Sequence, residues 1–190
     1  MCGRLNVIDG PWIGELMEEL GIELHIQSNP DLRPTQTVAT VAAPEGELRQ
    51  LDTQWGIQPA WAKKLLINAQ AETVATKPTF RDAFARRRCL VPCSGFYEWR
   101  SEGGPRKQKY LFKGDHDQGL LMAAIWYPSD LPQIVTLTQP APPEFAEYHH
   151  RFPVFIPRIA ARDWVQSDKD SAGRLMTLAA GQGITVESVQ

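Results

Sequence analysis

From residue 89 to residue 138 the chain repeats one pattern. Short apolar, β-prone segments alternate with turn signals. Residues 89–92, 95–100, 107–113, 120–127 and 133–138 read as strands. Turns at Glu102-Gly103-Gly104-Pro105 and around Gly114–Gly119 separate them. Strands joined by such short connections pair with their neighbours in antiparallel fashion. Earlier, 36–43 and 48–55 form a hairpin about Pro44-Glu45-Gly46. Helices are unevenly placed. Trp12, Leu16 and Leu20 give a helical stripe over 12–20 that stops at Gly21. Residues 56–61 read as a loop. Residues 78–88 read as a helix started by Pro78, with Arg86, Arg87 and Arg88 in its last turn, where cations suit the macrodipole. A short helix over 142–150, a strand over 153–156, helical stretches at 158–166 and 169–179 and a strand at 183–189 complete the reading. The expected class is α+β: one domain over 1–190, with a curled, barrel-like antiparallel sheet flanked by helices.

Composition narrows the function. Of 190 residues, 43% are hydrophobic and 22% charged, as in an ordinary globular chain with a real core. The net charge of -2 rules out a bulk polycation, so any contact with nucleic acid rests on a local patch. No segment reads as a signal peptide and no apolar run is long enough to span a membrane, so a cytoplasmic protein is expected. Three cysteines make an odd, low count that argues against a disulfide framework. Cys89 and Cys93 have no matching ligand pair, so they read as core residues and neither a metal nor an organic cofactor is expected.

Five features carry chemistry. The first is Cys2. Once Met1 is removed, Cys2 bears a free α-amine and a thiol on adjacent carbons. Such a 1,2-aminothiol condenses with an aldehyde to an imine, and the thiol closes on it as a thiazolidine. Both groups titrate near neutrality, at about 8 for the amine and about 8.5 for the thiol. An N-terminal nucleophile can also use its own amine as base. Second, Asn68 follows the apolar run Leu65-Leu66-Ile67 and can orient an amine or carbonyl; the same position also suits an ordinary turn. Third, in Gly95-Phe96-Tyr97-Glu98-Trp99 strand alternation puts Phe96, Glu98 and Arg100 on one face, with Tyr97 and Trp99 on the other. A glutamate against apolar walls has a raised pKa and suits general acid–base work; on a half-exposed sheet it would merely face solvent. Fourth, His149 and His150 stand beside Arg151, as a proton shuttle next to a phosphate ligand or as the solvated end of a helix. Fifth, basic and aromatic residues interleave: Arg4, Trp55, Trp61, Lys63, Lys64, Lys77, Arg81 and the 86–88 triplet. Single-stranded nucleic acid is held by such mixtures, with cations on phosphates and rings under bases; read singly, each is an ordinary surface charge or a core tryptophan.

Together these stretches resemble the SOS response-associated peptidase (SRAP) family over nearly the whole chain. The marks are Met1-Cys2-Gly3-Arg4, Arg33-Pro34-Thr35-Gln36, Trp55-Gly56-Ile57-Gln58-Pro59, Asn68-Ala69-Gln70-Ala71-Glu72-Thr73, Arg88-Cys89-Leu90-Val91-Pro92 running into Gly95-Phe96-Tyr97-Glu98-Trp99, Ala123-Ala124-Ile125-Trp126, and His149 to Pro153. The resemblance implies the SRAP fold and a DNA-damage role as an abasic-site sensor. It implies that Cys2 forms a covalent crosslink with the ring-opened abasic sugar in single-stranded DNA, with lyase-like chemistry and self-removal of the residue before Cys2. Carried over by position, Asn68 orients the amine, Glu98 is the acid/base, and His149 helps proton transfer, with His150 as the neighbouring alternative. Arg4, Trp55, Trp61, Lys77, Arg81, Trp99 and Arg151 are the expected DNA contacts. A monomer is expected, cytoplasmic and nucleoid-associated when bound to DNA. One departure stands out: Gln70 occupies a position where the family usually has an arginine that contacts phosphate, so binding is expected to weaken or the contact to shift to neighbours such as Lys77 or Arg81. Two other readings stay open, an N-terminal-nucleophile cysteine peptidase or amidase and a non-catalytic single-stranded DNA-binding module.

Overall fold

The strand-forming pattern resolves into two sheets packed face to face. The computed structural model describes residues 3–177 and 183–189. In chain order the strands are β1 (Leu5–Val7), β2 (Asn29–Leu32), β3 (Thr37–Ala42), β4 (Arg49–Trp55), β5 (Asn68–Gln70), β6 (Arg88–Cys93), β7 (Gly95–Arg100), β8 (Gln108–Gly114), β9 (Leu120–Tyr127), β10 (Gln133–Pro140), β11 (Arg151–Pro153) and β12 (Ile184–Val189). The helices are α1 (Pro11–Leu20), α2 (Arg81–Arg86), α3 (Ala161–Gln166) and α4 (Lys169–Leu175).

One sheet has five strands in the order β12-β8-β7-β1-β2, and the other has seven. Strand β10 organises the larger sheet. Along one edge it pairs with β9 and then β11, both antiparallel. Along the other it pairs with β4 and then β5, both parallel. Because β9 also pairs with β6, β6 with β3 and β3 with β4, the pairing returns on itself. The α+β class agrees with the sequence reading. The single barrel-like antiparallel sheet does not: there are two sheets, one is mixed, and its closure is a ring short of a barrel. The joint is short because β4 meets β10 only at Gln133↔Gln54 and Ile134↔Trp55 before the chain turns away at Gly56. Gly56 has φ +111, and a Cβ there would lie 2.7 Å from the Leu65 side chain, so only glycine suits this exit.

Period-two alternation supplies both cores. Leu90, Ala123, Ile125, Val135 and Leu137 face α1, α2 and α3, meeting Leu16, Phe84 and Trp164. Val91, Met122, Ala124 and Ile134 face the five-stranded sheet, meeting Leu5, Phe96 and Phe112. Strand β6 is covered on both sides, so all six residues are buried. Cys89 and Cys93 lie there as free thiols, and burial pushes the Cys93 thiol up to about 12 and the Cys89 thiol further. They are inert packing groups. Among the described residues no cluster of three or more His, Cys, Asp or Glu side chains could hold a metal ion, and no helix is long and apolar enough to cross a membrane.

Several local boundaries differ from the sequence reading. The helix expected over 78–88 starts at Arg81 and ends at Arg86, and Arg88 opens β6. Arg88 still serves the helix end, from inside the core: its guanidinium donates to the carbonyls of Phe84 and Ala85 and to those of Trp164 and Ser167. The helix expected over 142–150 shrinks to a 3-10 turn at Pro143–Phe145, because the segment after it is drawn against the β7–β8 hairpin. The strand expected at 153–156 forms earlier, as β11, followed by an isolated Met122↔Phe155 bridge. The stretch 158–166 divides into a 3-10 turn at Arg158–Ala160 and α3, and α4 ends at Leu175. Residues 178–179 of the expected helix lie outside the described residues.

Candidate active site and nucleic-acid interface

Strand alternation turns Glu98 to the inner face of β7 beside Phe96, and the residue is 6% exposed. Burial pushes its carboxyl pKa up, with the Lys107 ammonium pulling the other way. The expectation of a glutamate with a raised pKa against apolar walls agrees with this placement. The sign of the effect gives a test. A carboxyl whose folded pKa is raised favours folding most below its unfolded pKa, and that contribution is lost as pH rises through the folded value. Glu98→Gln removes the cost of burying the charge. The variant is therefore expected to melt a few degrees above wild type at pH 7, with the gap closing near pH 4. Melting curves at the two pH values check it, and a variant that melts lower at pH 7 would show that the charged form is the stabilised one.

The start of the described chain is held against the same strand. Leu5 pairs with Phe96, and the Tyr97 N–H donates to the Arg4 carbonyl at 3.0 Å. Continuing the antiparallel register brings Gly3 to the level of Glu98. Cys2, the expected nucleophile, precedes Gly3 in sequence and lies outside the described residues.

Asn68 opens β5, opposite Thr136 of β10. Its Oδ1 lies 2.6 Å from the Thr136 hydroxyl, which also lies 3.2 Å from the Ile67 carbonyl. The side-chain amide is thereby oriented by a strand of the core rather than by a loop. His149 immediately precedes β11. The Arg151 N–H donates to its Nδ1 at 2.9 Å, so in the neutral ring the proton sits on Nε2. Burial lowers the His149 pKa, and Lys107 and His150 act in the same direction. The two imidazoles stack at 4.4 Å, with His150 the exposed member.

The structure links these residues through their supports. Glu98 lies across from Tyr110 of β8, whose ring meets Tyr148 at 4.8 Å, and His149 is the next residue. Glu98 and His149 both feel Lys107. On the other side, Arg151 pairs with Glu72 through both carboxylate oxygens and donates to the Thr138 carbonyl at 2.6 Å. Since Thr138 lies two residues beyond Thr136 on β10, one strand supports both Asn68 and the segment after His149. The Arg151 pair holds the Glu72 carboxyl below its usual pKa.

The expected DNA contacts divide. Trp61 is 68% exposed in an open cleft lined by Gln58, Pro59, Thr79 and Tyr127. Lys77 and Arg81, two residues to either side of Thr79 in the chain, are both exposed. Arg4 lies 5.4 Å over Trp99 and is bonded to Asp31, on the outer face of the five-stranded sheet and across β7 from Glu98. Gln70 is exposed on β5. Two assignments are corrected. Trp55 is fully buried between the sheets and offers no face to a base; its indole N–H donates to the Ile67 carbonyl at 3.1 Å and steadies the residue before Asn68. Arg151 is buried, and its guanidinium is committed to Glu72 and Thr138, so it is a clamp and not a phosphate ligand. The 86–88 triplet also fails as a patch, because Arg88 is 2% exposed and Arg87 donates to the Trp126 carbonyl. Sequence reasoning missed Thr136, Thr138, Tyr110 and Tyr148, which carry no local signal and matter only through pairing across the fold.

A two-sheet α+β frame with a buried carboxylate, a strand-held asparagine and a backbone-held histidine defines a class. Residues 1–190 match the family model for the SOS response associated peptidase (SRAP), and the chain belongs to that family. Among its relatives, the abasic site processing protein YoqW of Bacillus subtilis (strain 168) is 25% identical over 194 residues, covering 94% of this chain and 86% of that one. The abasic site processing protein YedK of Escherichia coli (strain K12) is 25% identical over 180 residues, covering 88% and 81%. The crystal structure of a phage-related protein from Bordetella bronchiseptica superposes with a TM-score of 0.84 at 22% identity, covering 100% of this chain and 94% of that one, a likeness of fold.

Proposed function

We propose that this chain processes abasic sites in single-stranded DNA by covalent capture. The observation that carries the reading is the pairing of β1 with β7, which runs the start of the chain alongside a buried glutamate. The names of the relatives supply the substrate class. After removal of Met1, the Cys2 amine attacks the aldehyde of the ring-opened sugar and water leaves, giving an imine. The Cys2 thiol then adds to the imine carbon and its proton passes to nitrogen, closing a thiazolidine. The net change is loss of one water.

Glu98, its pKa raised by burial, is suited to donate a proton as the sugar opens and again when the ring is reversed. The Asn68 amide orients the amine. His149 carries a proton at Nε2 and passes it between solvent and the reacting atoms. The exposed Trp61, Lys77 and Arg81 hold the strand by stacking and phosphate contact, with Arg4 and Trp99 on the neighbouring sheet face. Self-removal of the residue before Cys2 uses the same groups, and the imine gives a route to strand cleavage. The protein acts as a monomer.

The test is intact mass after incubation with a single-stranded oligonucleotide carrying one abasic site. A denaturant-stable species equal to protein plus DNA minus one water is expected, and none with an undamaged strand. Protein that begins at Cys2 and yields no such species would favour an N-terminal-nucleophile peptidase or a non-covalent DNA binder.

A further inference from the structure

We propose that Arg100 is a positioning residue that sets His149 against Glu98, a role that rests on the reading of the site given above. Arg100 lies two residues beyond Glu98 on the same face of β7. Its guanidinium spends every nitrogen locally. Nε donates to Glu102 at 2.5 Å, one terminal nitrogen donates to Glu147, and the other lies 3.2 Å from the Tyr110 hydroxyl. The same group sits 5.1 Å from the Tyr110 ring centre and 4.6 Å from that of Tyr148. Tyr110 in turn donates to Glu102 at 2.6 Å.

Glu102 and Tyr110 belong to the β7–β8 hairpin that carries Glu98. Glu147 and Tyr148 are the two residues that precede His149. One cation therefore fastens the segment entering His149 to the hairpin carrying Glu98. The far side of His149 is fastened separately, through the Arg151 N–H and the pairing of β11 with β10. The second fastening belongs to the seven-stranded sheet and the first to the five-stranded sheet, so His149 spans the two. Without Arg100, the histidine keeps its hold on β10 and loses its hold on the glutamate's sheet.

A planar guanidinium suits this task better than an ammonium. It bonds two carboxylates in its plane while its faces rest near aromatic rings. Lysine offers charge without that shape. Arg100 is only partly exposed, which fits a clamp rather than a free surface cation.

The experiment uses full-length protein and two readouts. In the first, adduct formation with an abasic single strand is followed under single-turnover conditions. Arg100→Met is expected to slow it roughly tenfold, while affinity for an undamaged strand stays within about twofold. Arg100→Lys is expected to recover part of the loss. Glu147→Gln, which removes one partner at an exposed position and leaves the core intact, is expected to fall between wild type and Arg100→Met. In the second, the His149 imidazole is titrated by NMR in the protein without DNA. Loosening the segment and removing a cation both favour the charged ring, so its midpoint is expected to rise in Arg100→Met. The substitution leaves the other groups acting on it, His150 and Lys107 among them, unchanged. A lower melting temperature in Arg100→Met and Glu147→Gln, with adduct rate and His149 midpoint both at wild-type values, would overturn the role and leave Arg100 a surface clamp. A wild-type protein that begins at Cys2 and gives no adduct would overturn the reading of the site, and the role with it, before any substitution is made.

Discussion

Cys2→Ala is expected to abolish the denaturant-stable adduct, lowering its yield by roughly a hundredfold or more. The chemistry makes the outcome specific. Alanine at position 2 still presents an α-amine once Met1 is gone, so an imine with the abasic aldehyde can form. With no thiol to close on it, the imine hydrolyses when the protein is denatured. Borohydride added before denaturation should therefore rescue a reduced adduct from the alanine variant. Non-covalent binding to the strand should persist and weaken as salt rises, since the exposed cations Lys77 and Arg81 are untouched. Gel shift, denaturing gel and mass together read all three effects. An undiminished, borohydride-independent adduct in Cys2→Ala would move the chemistry to another residue.

The largest stability effect is expected at Arg88. The side chain is 2% exposed and donates to Trp164 and Phe84 carbonyls at 2.7 Å, to Ala85 at 3.1 Å, and to Ser167. It ties the end of α2 to the end of α3, and burial lowers its pKa. Arg88→Met fills much of the volume and leaves those carbonyls without their charged donor. Losing several charge-assisted bonds in a buried setting costs about 3–5 kcal/mol. In a chain of this size that is a fall in Tm of roughly ten degrees. Arg88→Lys keeps the charge but not the fork and should fall between. By contrast, removing the Arg158–Glu15 pair, whose glutamate is 62% exposed, should change stability by less than about 1 kcal/mol. A melting temperature for Arg88→Met within two degrees or so of wild type would mean that the freed carbonyls are rehydrated.

How much of this could be read from the chain depends on whether the deciding contact is local. Helix α1 was legible because Trp12, Leu16 and Leu20 repeat at helical spacing and Gly21 ends the run in a left-handed turn. The hairpin of β3 and β4 was legible from its turn. Glu98 was legible because strand alternation alone places it beside Phe96. Strands β1, β2 and β5 were missed, since three or four residues are too few to show alternation and each is a strand only by virtue of its partner. The parallel pairing of β10 with β4 and β5 joins distant segments and leaves no sequence trace. Trp55, Arg88 and Arg151 were misplaced for one shared reason. A tryptophan or arginine in a polar stretch reads as surface, and only the fold shows that carbonyls or a carboxylate meet it inside.

The ladder between β1 and β7 also fixes a length. Leu5 and Val7 are buried between the sheets, so β1 cannot slip by one residue without turning both toward solvent. That makes the hydrophobic core the ruler for everything that precedes Leu5. One residue inserted between Arg4 and Leu5 would displace the start of the chain by about 3.3 Å and exchange its faces. The distance to Glu98 would change while the core, the fold and the melting temperature stayed nearly the same. Reach at this end of the chain is thus counted in whole residues, and a protein can lose it without losing any of its stability.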